Sequence, residues 1–328
     1  MKPIHLSLLA ALVLAGCGGG GSAEAPPKDV PVSAQAAQEV DPAAFPAPAG
    51  RTLDEIATEF ESDAGPQAIA ATSVFRTGEG RLAFGVLDEN LRFVYGKTVV
   101  YLEPEKGEVV GPIAAPADLL VTQPRYRSQQ AATETDPFVA VYEALIDLKT
   151  TGRHRVLVAS DLGQGRRIGA TFDFEVTTPK RDPIPDVGEK APVVRTDTLA
   201  TVKGDETLLD TRTPPAPELH ESVFSKVAGK KPVALLFATP QLCQSRVCGP
   251  VVDEALQLKA KYGDRIDFIH QEVFVGNDPS KGLRPPLQAF KLRTEPWLFT
   301  VKADGTIAAR LEGSFGLRAF ERALKAAL

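Results

Sequence analysis

The segment 233–250 places two cysteines between a buried strand and a helix, and it constrains the fold more than any other part of the chain. Its first six residues are all apolar, as expected for a strand that is covered on both faces. Pro240 predicts a turn after this strand, and Pro250 fits the first turn of a helix. Cys243 and Cys248 lie between these prolines. Because a helix N-terminus stabilises a thiolate, the pair is placed where thiol–disulfide chemistry is expected.

The first 17 residues are typical of an export signal. Lys2 supplies a positive charge, and residues 6–15 form an apolar core that is too short to span a bilayer comfortably. The segment ends in Leu14-Ala15-Gly16-Cys17, which resembles the lipobox of bacterial lipoproteins. The resemblance implies that residues 1–17 are a lipoprotein signal peptide and that Cys17 carries acyl chains such as palmitate. An ordinary signal peptide is the alternative. On either interpretation the chain is exported to a compartment where disulfides persist.

At 328 residues the chain is long enough for two domains, and its net charge of −5 gives no reason to expect nucleic acid as a partner. Residues 18–50 contain almost no large apolar side chains, so they cannot bury enough surface to offset the entropy of an ordered chain. A short helix is predicted within 51–63, and we interpret the whole of 18–65 as a flexible tether. We expect a monomer that holds no cofactor and no metal.

Residues 66–178 alternate short β-like runs with turns that contain glycine or proline. Several runs alternate apolar and polar residues, which is typical of strands with one buried face. The pattern predicts an all-β sandwich with an immunoglobulin-like order of strands, acting as a spacer or an interaction module. We expect 115–137 to be a crossover between the sheets and His154 to lie at the surface. The predicted strands are 68–76, 81–87, 97–102, 138–148, 154–159 and 168–176.

A Pro-rich linker over 179–188 precedes a predicted α/β domain over 189–328. Its predicted elements are a helix at 218–228, a strand at 233–238, a helix at 251–262, a strand at 266–273, a short helix at 287–292, a hairpin over 297–302 and 307–312, and a helix at 317–328. This order resembles the thioredoxin fold. The strongest local similarities are Phe237-Ala238-Thr239, Cys248-Gly249-Pro250, Thr294-Glu295-Pro296 and Ala303-Asp304-Gly305.

The resemblance implies a fold, a site and an activity. Pro296 would form a cis peptide bond and face the cysteine pair, and Glu295 would present backbone groups to an extended substrate. By analogy with the family, Cys243 is the nucleophile and Cys248 the resolving residue, although electrostatics leaves the reverse assignment open. The chain would then be a thiol–disulfide oxidoreductase, lipid-anchored through Cys17 at the extracytoplasmic face of the cell membrane. Its partners would be the thiols and disulfides of exported proteins.

The sequence departs from the thioredoxin pattern at three places near the cysteines. The pair is spaced C-x-x-x-x-C where the family has C-x-x-C, Leu242 replaces the usual tryptophan, and Leu235 stands where a buried acid is often found. The segment around Cys248 is also similar to peroxiredoxins and Sco-type copper assembly proteins. However, residues 240–242 include no threonine suited to a peroxidase, and no histidine follows His270, which we expect to be structural.

Two alternatives to the oxidoreductase remain open at this point. The chain could be a non-catalytic binding lipoprotein whose disulfide only fixes a loop, since structural disulfides are common in exported proteins. It could also be a copper-delivery protein that uses both thiolates.

Overall fold

Two β-sheets make up the first part of the chain in the computed structural model, which describes residues 29–61, 65–132, 138–243 and 248–328. Their strands are β1 Gln67–Ala70, β2 Phe75–Arg76, β3 Gly78–Leu87, β4 Lys97–Pro104, β5 Val110–Ala114, β6 Ala117–Leu119, β7 Ala140–Leu148, β8 Gly152–Asp161 and β9 Arg167–Thr177. One sheet has the order β1-β3-β7-β6 and the other β2-β9-β8-β4-β5. The six predicted strands are therefore present, the first of them divided between β1 and β2, whereas β5 and β6 were not predicted.

The alternation of side chains along the strands builds a core between the two sheets. On β4, Val100 and Leu102 point inward and share one buried cluster with Phe84 of the opposite sheet. Their neighbours Val99 and Tyr101 point to the other face, as the two-residue period of a strand requires. That second face is buried as well, so β4 is covered on both sides.

Residues 29–61 provide the cover on the outer face of β4. Phe45, Leu53, Ile56 and Phe60 are buried there against Tyr101. The short helices of this segment are α1 Val32–Ala36 and α2 Leu53–Ala57. The described part of the predicted tether over 18–65 is therefore folded rather than a free spacer. The few apolar residues of the segment suffice because most of the large ones are packed against the sandwich.

A third sheet organises the second part of the chain. Its strands are β10 Val233–Phe237, β11 Asp267–Gln271, β12 Trp297–Val301 and β13 Ile307–Glu312, and the helices from residue 129 onward are α3 Gln129–Ala132, α4 Glu206–Leu209, α5 Phe224–Val227, α6 Cys248–Tyr262, α7 Pro285–Ala289 and α8 Leu317–Ala327. The order is β11-β10-β12-β13, with β11 parallel to β10 and the hairpin strands antiparallel. The succession of strand, cysteines, helix, strand, helix, X-Pro, hairpin and helix is the predicted one.

Two local predictions in the chain were wrong. The helix expected at 218–228 is divided into a 3₁₀ helix, Pro217–His220, and α5, because Val223 adopts an extended conformation between them. His154 is buried rather than at the surface, since its ring stacks on Phe174 and its Nδ1 lies 3.1 Å from the carbonyl oxygen of Gly152.

The sandwich and the third sheet are joined by buried polar contacts. The carboxylate of Glu312, at the end of β13, accepts hydrogen bonds from the backbone N–H groups of Ser73 and Val74. Arg81 of β3 forms a salt bridge with Glu143 and donates to the carbonyl oxygen of Glu312. These contacts place the loop between β1 and β2 beside the third sheet. We call this sheet and the helices packed on it the second unit, and the sandwich the first.

The predicted linker over 179–188 takes part in the same joint. Ile184 is buried in the core of the second unit, and Asp182 pairs with Arg310 of β13. Among the described residues, no helix is both long and apolar enough to cross a membrane. The immunoglobulin-like character of the sandwich, and the lipidation of Cys17, which lies outside the described residues, stay predictions.

Candidate functional site

The turn after β10 brings the two cysteines together. The carbonyl oxygen of Thr239 accepts hydrogen bonds from the N–H groups of Leu242 (3.2 Å) and Cys243 (3.1 Å), which curls the chain back below the strand end. Cys248 is the first residue of α6, as its position before Pro250 suggested. Both cysteines are present as thiols, and Cys243 is 8% exposed while Cys248 is fully buried.

The two sulfur atoms differ in their surroundings. Burial raises the pKa of the Cys248 thiol well above its ordinary value, and a hydrogen bond to Cys243 together with the charge of Cys243 raises it further. The backbone N–H of Thr239 opposes this shift. Cys248 therefore keeps its proton and donates it toward Cys243. This polarity favours Cys243 as the sulfur that carries negative charge.

The loop before β12 faces the cysteines. The peptide bond between Glu295 and Pro296 is cis, as the resemblance implies, and the carbonyl oxygen of Pro296 accepts a 2.8 Å hydrogen bond from Gly313. Glu295 is half-buried, and burial followed by the charge of Cys243 raises the pKa of its carboxyl group. Glu295 also contributes to the raised pKa of Cys248, so its carboxyl group lies on the cysteine side of the loop.

A cavity of about 240 Å³ adjoins this loop, and residues of both units line it. Thr294, Glu295 and Ser314 come from the second unit, while the aromatic rings of Phe93 and Phe138 come from the sandwich. Those two rings lie 4.4 Å apart and form one apolar wall. Sequence reasoning missed this wall because no local pattern connects a sandwich loop with a residue about 200 positions further along the chain.

A second feature that the sequence did not predict lies behind the cysteine turn. Asp210, His220, His270 and Glu272 are all buried and close together. His270 lies in β11, where its Nε2 is 3.0 Å from the carbonyl oxygen of Ala238, next to the turn. Two of the chain's four histidines are involved, and they are separated by fifty positions, so spacing gave no signal.

Comparisons with known proteins identify no family for the chain. No family model matches it, and no curated protein matches it. Among solved structures, the chain is similar to a protein from Chlorobium tepidum that is provisionally described as the thiol:disulfide interchange protein DsbE. The similarity has 16% sequence identity and a TM-score of 0.32, and it covers 44% of this chain and 98% of the other. The fold described above rests on the chain's own topology.

Proposed function

We propose that the chain is a membrane-anchored, extracytoplasmic thiol–disulfide oxidoreductase that acts on exported proteins through Cys243 and Cys248. One observation carries the proposal. A buried thiol at the start of α6 donates a hydrogen bond toward a second, slightly exposed cysteine, opposite a cis X-Pro loop.

The reaction follows from the polarity of the pair. The Cys243 thiolate attacks one sulfur of a substrate disulfide, forming a mixed disulfide and releasing the other substrate sulfur as a thiolate. Cys248 then gives up its proton and attacks the Cys243 sulfur, which forms the Cys243–Cys248 disulfide and frees the second substrate thiol. Two electrons pass from the cysteine pair to the substrate. The same steps in reverse would oxidise a substrate dithiol.

The substrate would lie along the loop that contains Glu295 and Pro296. Glu295 would offer backbone groups to an extended segment, and the apolar wall of Phe93 and Phe138 would accept a side chain of that segment. The sandwich then contributes to substrate choice in addition to acting as a spacer.

The wider architecture that we propose has an immunoglobulin-like sandwich anchored through a lipid on Cys17. The two sheet orders support the first part, because β1-β3-β7-β6 and β4-β8-β9 follow the order of an immunoglobulin sandwich, in which strands ABED face strands CFG. The lipobox-like segment before Cys17 supports the second part.

One observation favours a second candidate, a binding protein with a structural disulfide. The Cys243 side chain is only 8% exposed and that of Cys248 is fully buried, and exchange with an external thiol requires access to a sulfur. The two candidates differ in the reduction potential of the pair.

The deciding experiment equilibrates the purified chain, in a Cys17→Ser background, with glutathione buffers of defined potential. The fraction of oxidised pair is read from the mass added by alkylation. We expect a potential above about −250 mV, in the range of catalytic disulfides. A value below about −300 mV would be that of a structural bond and would favour the binding protein.

The same background tests the roles of the two cysteines. With Cys248→Ser, a disulfide-containing peptide should remain trapped on Cys243, because no resolving thiol is left. Cys243→Ser is the matched control and should trap almost nothing, since Cys248 is buried and keeps its proton. Equal trapping by both variants would contradict the assignment.

A further inference from the structure

We propose that Asp210, His220 and His270 form a buried binding site for a divalent transition-metal ion, separate from the cysteine pair. The three side chains each offer one ligand atom, and these atoms all lie within 4.8 Å of one another. They come from three different parts of the second unit: the end of α4, the 3₁₀ helix Pro217–His220 and strand β11.

The carboxylate of Asp210 lies between the two imidazole rings. Its Oδ2 is 3.6 Å from Nε2 of His220, and its Oδ1 is 3.8 Å from Nδ1 of His270. Ligand atoms bound to one tetrahedral zinc ion at 2.0–2.2 Å would lie roughly 3.3–3.5 Å apart. The two distances run to different oxygens of Asp210, and the three ligand atoms lie within 4.8 Å of one another. The side chains would therefore close around the ion by on the order of 1 Å.

Backbone groups hold Asp210 in this position. Its Oδ1 accepts a 2.8 Å hydrogen bond from the N–H of Arg212, and its Oδ2 accepts one of the same length from Ala216. Each carboxylate oxygen keeps a further lone pair, and the two oxygens lie 3.6 and 3.8 Å from ring nitrogens of the histidines. An acid fixed by two amides is a prepared ligand, since little side-chain entropy remains to be lost on binding.

The orientation of His270 suits a metal ligand. Its Nε2 lies 3.0 Å from the carbonyl oxygen of Ala238, which can only accept, so we assign the proton to Nε2. Nδ1 is then left with a bare lone pair directed at Asp210, and it has no hydrogen-bond partner within the described residues. A ring that donates one N–H to a carbonyl while its other nitrogen coordinates is the usual arrangement at metal sites.

His220 provides the independent sign of a missing ligand. The residue is 3% exposed, and neither of its ring nitrogens has a hydrogen-bond partner in the described part of the chain. Buried polar groups without a hydrogen-bond partner destabilise the folded state. A bound cation would use the lone pair that the protein leaves unused.

The donor set indicates which ions fit. Two imidazole nitrogens and one carboxylate oxygen suit Zn²⁺, Fe²⁺ and similar ions, and they leave one coordination position open. Glu272 follows His270 by two positions, and one of its carboxyl oxygens is buried with no hydrogen-bond partner within the described residues. No thiolate takes part, which separates this site from copper delivery by the cysteines.

Residues of the proposed metal site, and their neighbours, form hydrogen bonds with the turn that carries Cys243. Thr211 follows Asp210, and its hydroxyl group accepts a hydrogen bond from the N–H of Gln241 in the turn, while its own N–H donates to Glu272. His270 bonds Ala238 at the other side of the same turn. A metal ion bound to both Asp210 and His270 would connect these two contacts and so restrict movement of the turn.

The test uses the full chain with all three cysteines replaced by serine, so that no thiol can bind metal. After treatment with a chelator and dialysis, the chain is titrated with Zn²⁺, and bound metal is measured by calorimetry and elemental analysis. We expect one Zn²⁺ per chain and a thermal midpoint that rises with Zn²⁺ concentration. Asp210→Asn or His220→Gln should weaken binding by more than about 100-fold, because even second-shell changes cost about 10–100-fold.

The matched control is His154→Gln, which removes a buried histidine of the sandwich and should leave the affinity unchanged. If the ligand variants fail to fold, Co²⁺ bound to the unmodified chain gives a second readout. Its visible spectrum should be that of a nitrogen and oxygen site, without a thiolate charge-transfer band. Failure of the thiol-free chain to bind Zn²⁺, equal binding by His220→Gln, or a cobalt spectrum dominated by thiolate would overturn the proposal.

Discussion

At the scale of single residues, Glu254 is the most unusual side chain outside the candidate site. It lies in α6, it is fully buried, and neither carboxyl oxygen has a hydrogen-bond partner within the described residues. Burial raises the pKa of this group well above its ordinary value, and the charges of Asp118 and Asp253 raise it further. The folded chain therefore holds a proton on Glu254 at pH values where the unfolded chain has lost it.

Glu254→Gln should therefore stabilise the protein, and more strongly at high pH. Because the folded pKa is raised, the wild-type chain loses stability as pH rises above about 4.3, the unfolded value. Glutamine does not titrate, so the gain in the free energy of unfolding should be small near pH 4 and on the order of 1 kcal/mol or more at pH 8. Urea unfolding at the two pH values measures the difference.

The control for this prediction is Glu321→Gln, for which the sign is opposite. Hydrogen bonds from Lys261 and Tyr262 outweigh burial and lower the pKa of Glu321. The stability that ionised Glu321 contributes to the folded chain is present at neutral pH and is lost as pH falls through the lowered pKa. Glu321→Gln should therefore destabilise the protein at pH 8 and have little effect in acid. The same pH trend for both variants would contradict the assignment of Glu254 as a protonated acid.

At the scale of elements, helix α8 depends on the other unit for its N-terminal cap. Its own N-cap residue is Gly316, which offers no side chain. The first-turn N–H groups of Arg318 and Ala319 donate instead to the two oxygens of Asp118 in β6, at 3.0 and 2.8 Å. One aspartate thus completes a helix that begins about 200 positions later in the chain.

Asp118→Ala should lower the free energy of unfolding by about 2 kcal/mol, the upper end of the range for the loss of a helix cap. The loss is large because the cap is buried and its removal leaves two N–H donors without a partner. Asp41→Ala removes a comparable but exposed cap, in which the side chain accepts from Ala43, and it should cost less than about 1 kcal/mol. Equilibrium unfolding in urea compares the two. Equal losses would show that α8 does not rely on Asp118.

The sequence predicted elements far better than contacts. Apart from β5 and β6, the strands of the sandwich and of the third sheet follow from alternation and apolar runs. Helix α6 follows from the proline after Cys248. The cap on α8, the wall of Phe93 and Phe138, and the cluster around Asp210 did not follow. Each joins residues whose neighbours in the sequence carry no trace of the partner, so only the folded chain brings them together.

At the scale of the whole molecule, the two units are fitted together around Gly313. This residue has a φ of +70°, and a Cβ atom placed on it would lie 1.6 Å from the carbonyl oxygen of Ala71. A side chain at this point must displace the backbone of the sandwich. The contacts of Glu312 with Ser73 and Val74 stand immediately beside it.

Gly313→Ala should therefore separate the units and not merely strain a turn. We expect the free energy of unfolding to fall by more than about 3 kcal/mol, well above the average for a point substitution. The segment 179–188 should also be cleaved faster by proteases. Gly163→Ala is the matched control. Its φ is +84° and no atom lies within 4 Å of an added Cβ, so only about 1 kcal/mol of backbone strain is expected. Similar losses for both would mean that the joint around Gly313 is not tight.

The packing of residues 29–61 against the sandwich also sets a distance from the membrane. If Cys17 carries the lipid, only residues 18–28 separate the anchor from the packed chain. Fully extended, these eleven residues reach on the order of 35–40 Å, whereas the forty-eight residues of 18–65 would reach about 160 Å. The anchored chain would therefore stay close to the bilayer surface, within the length of this short segment.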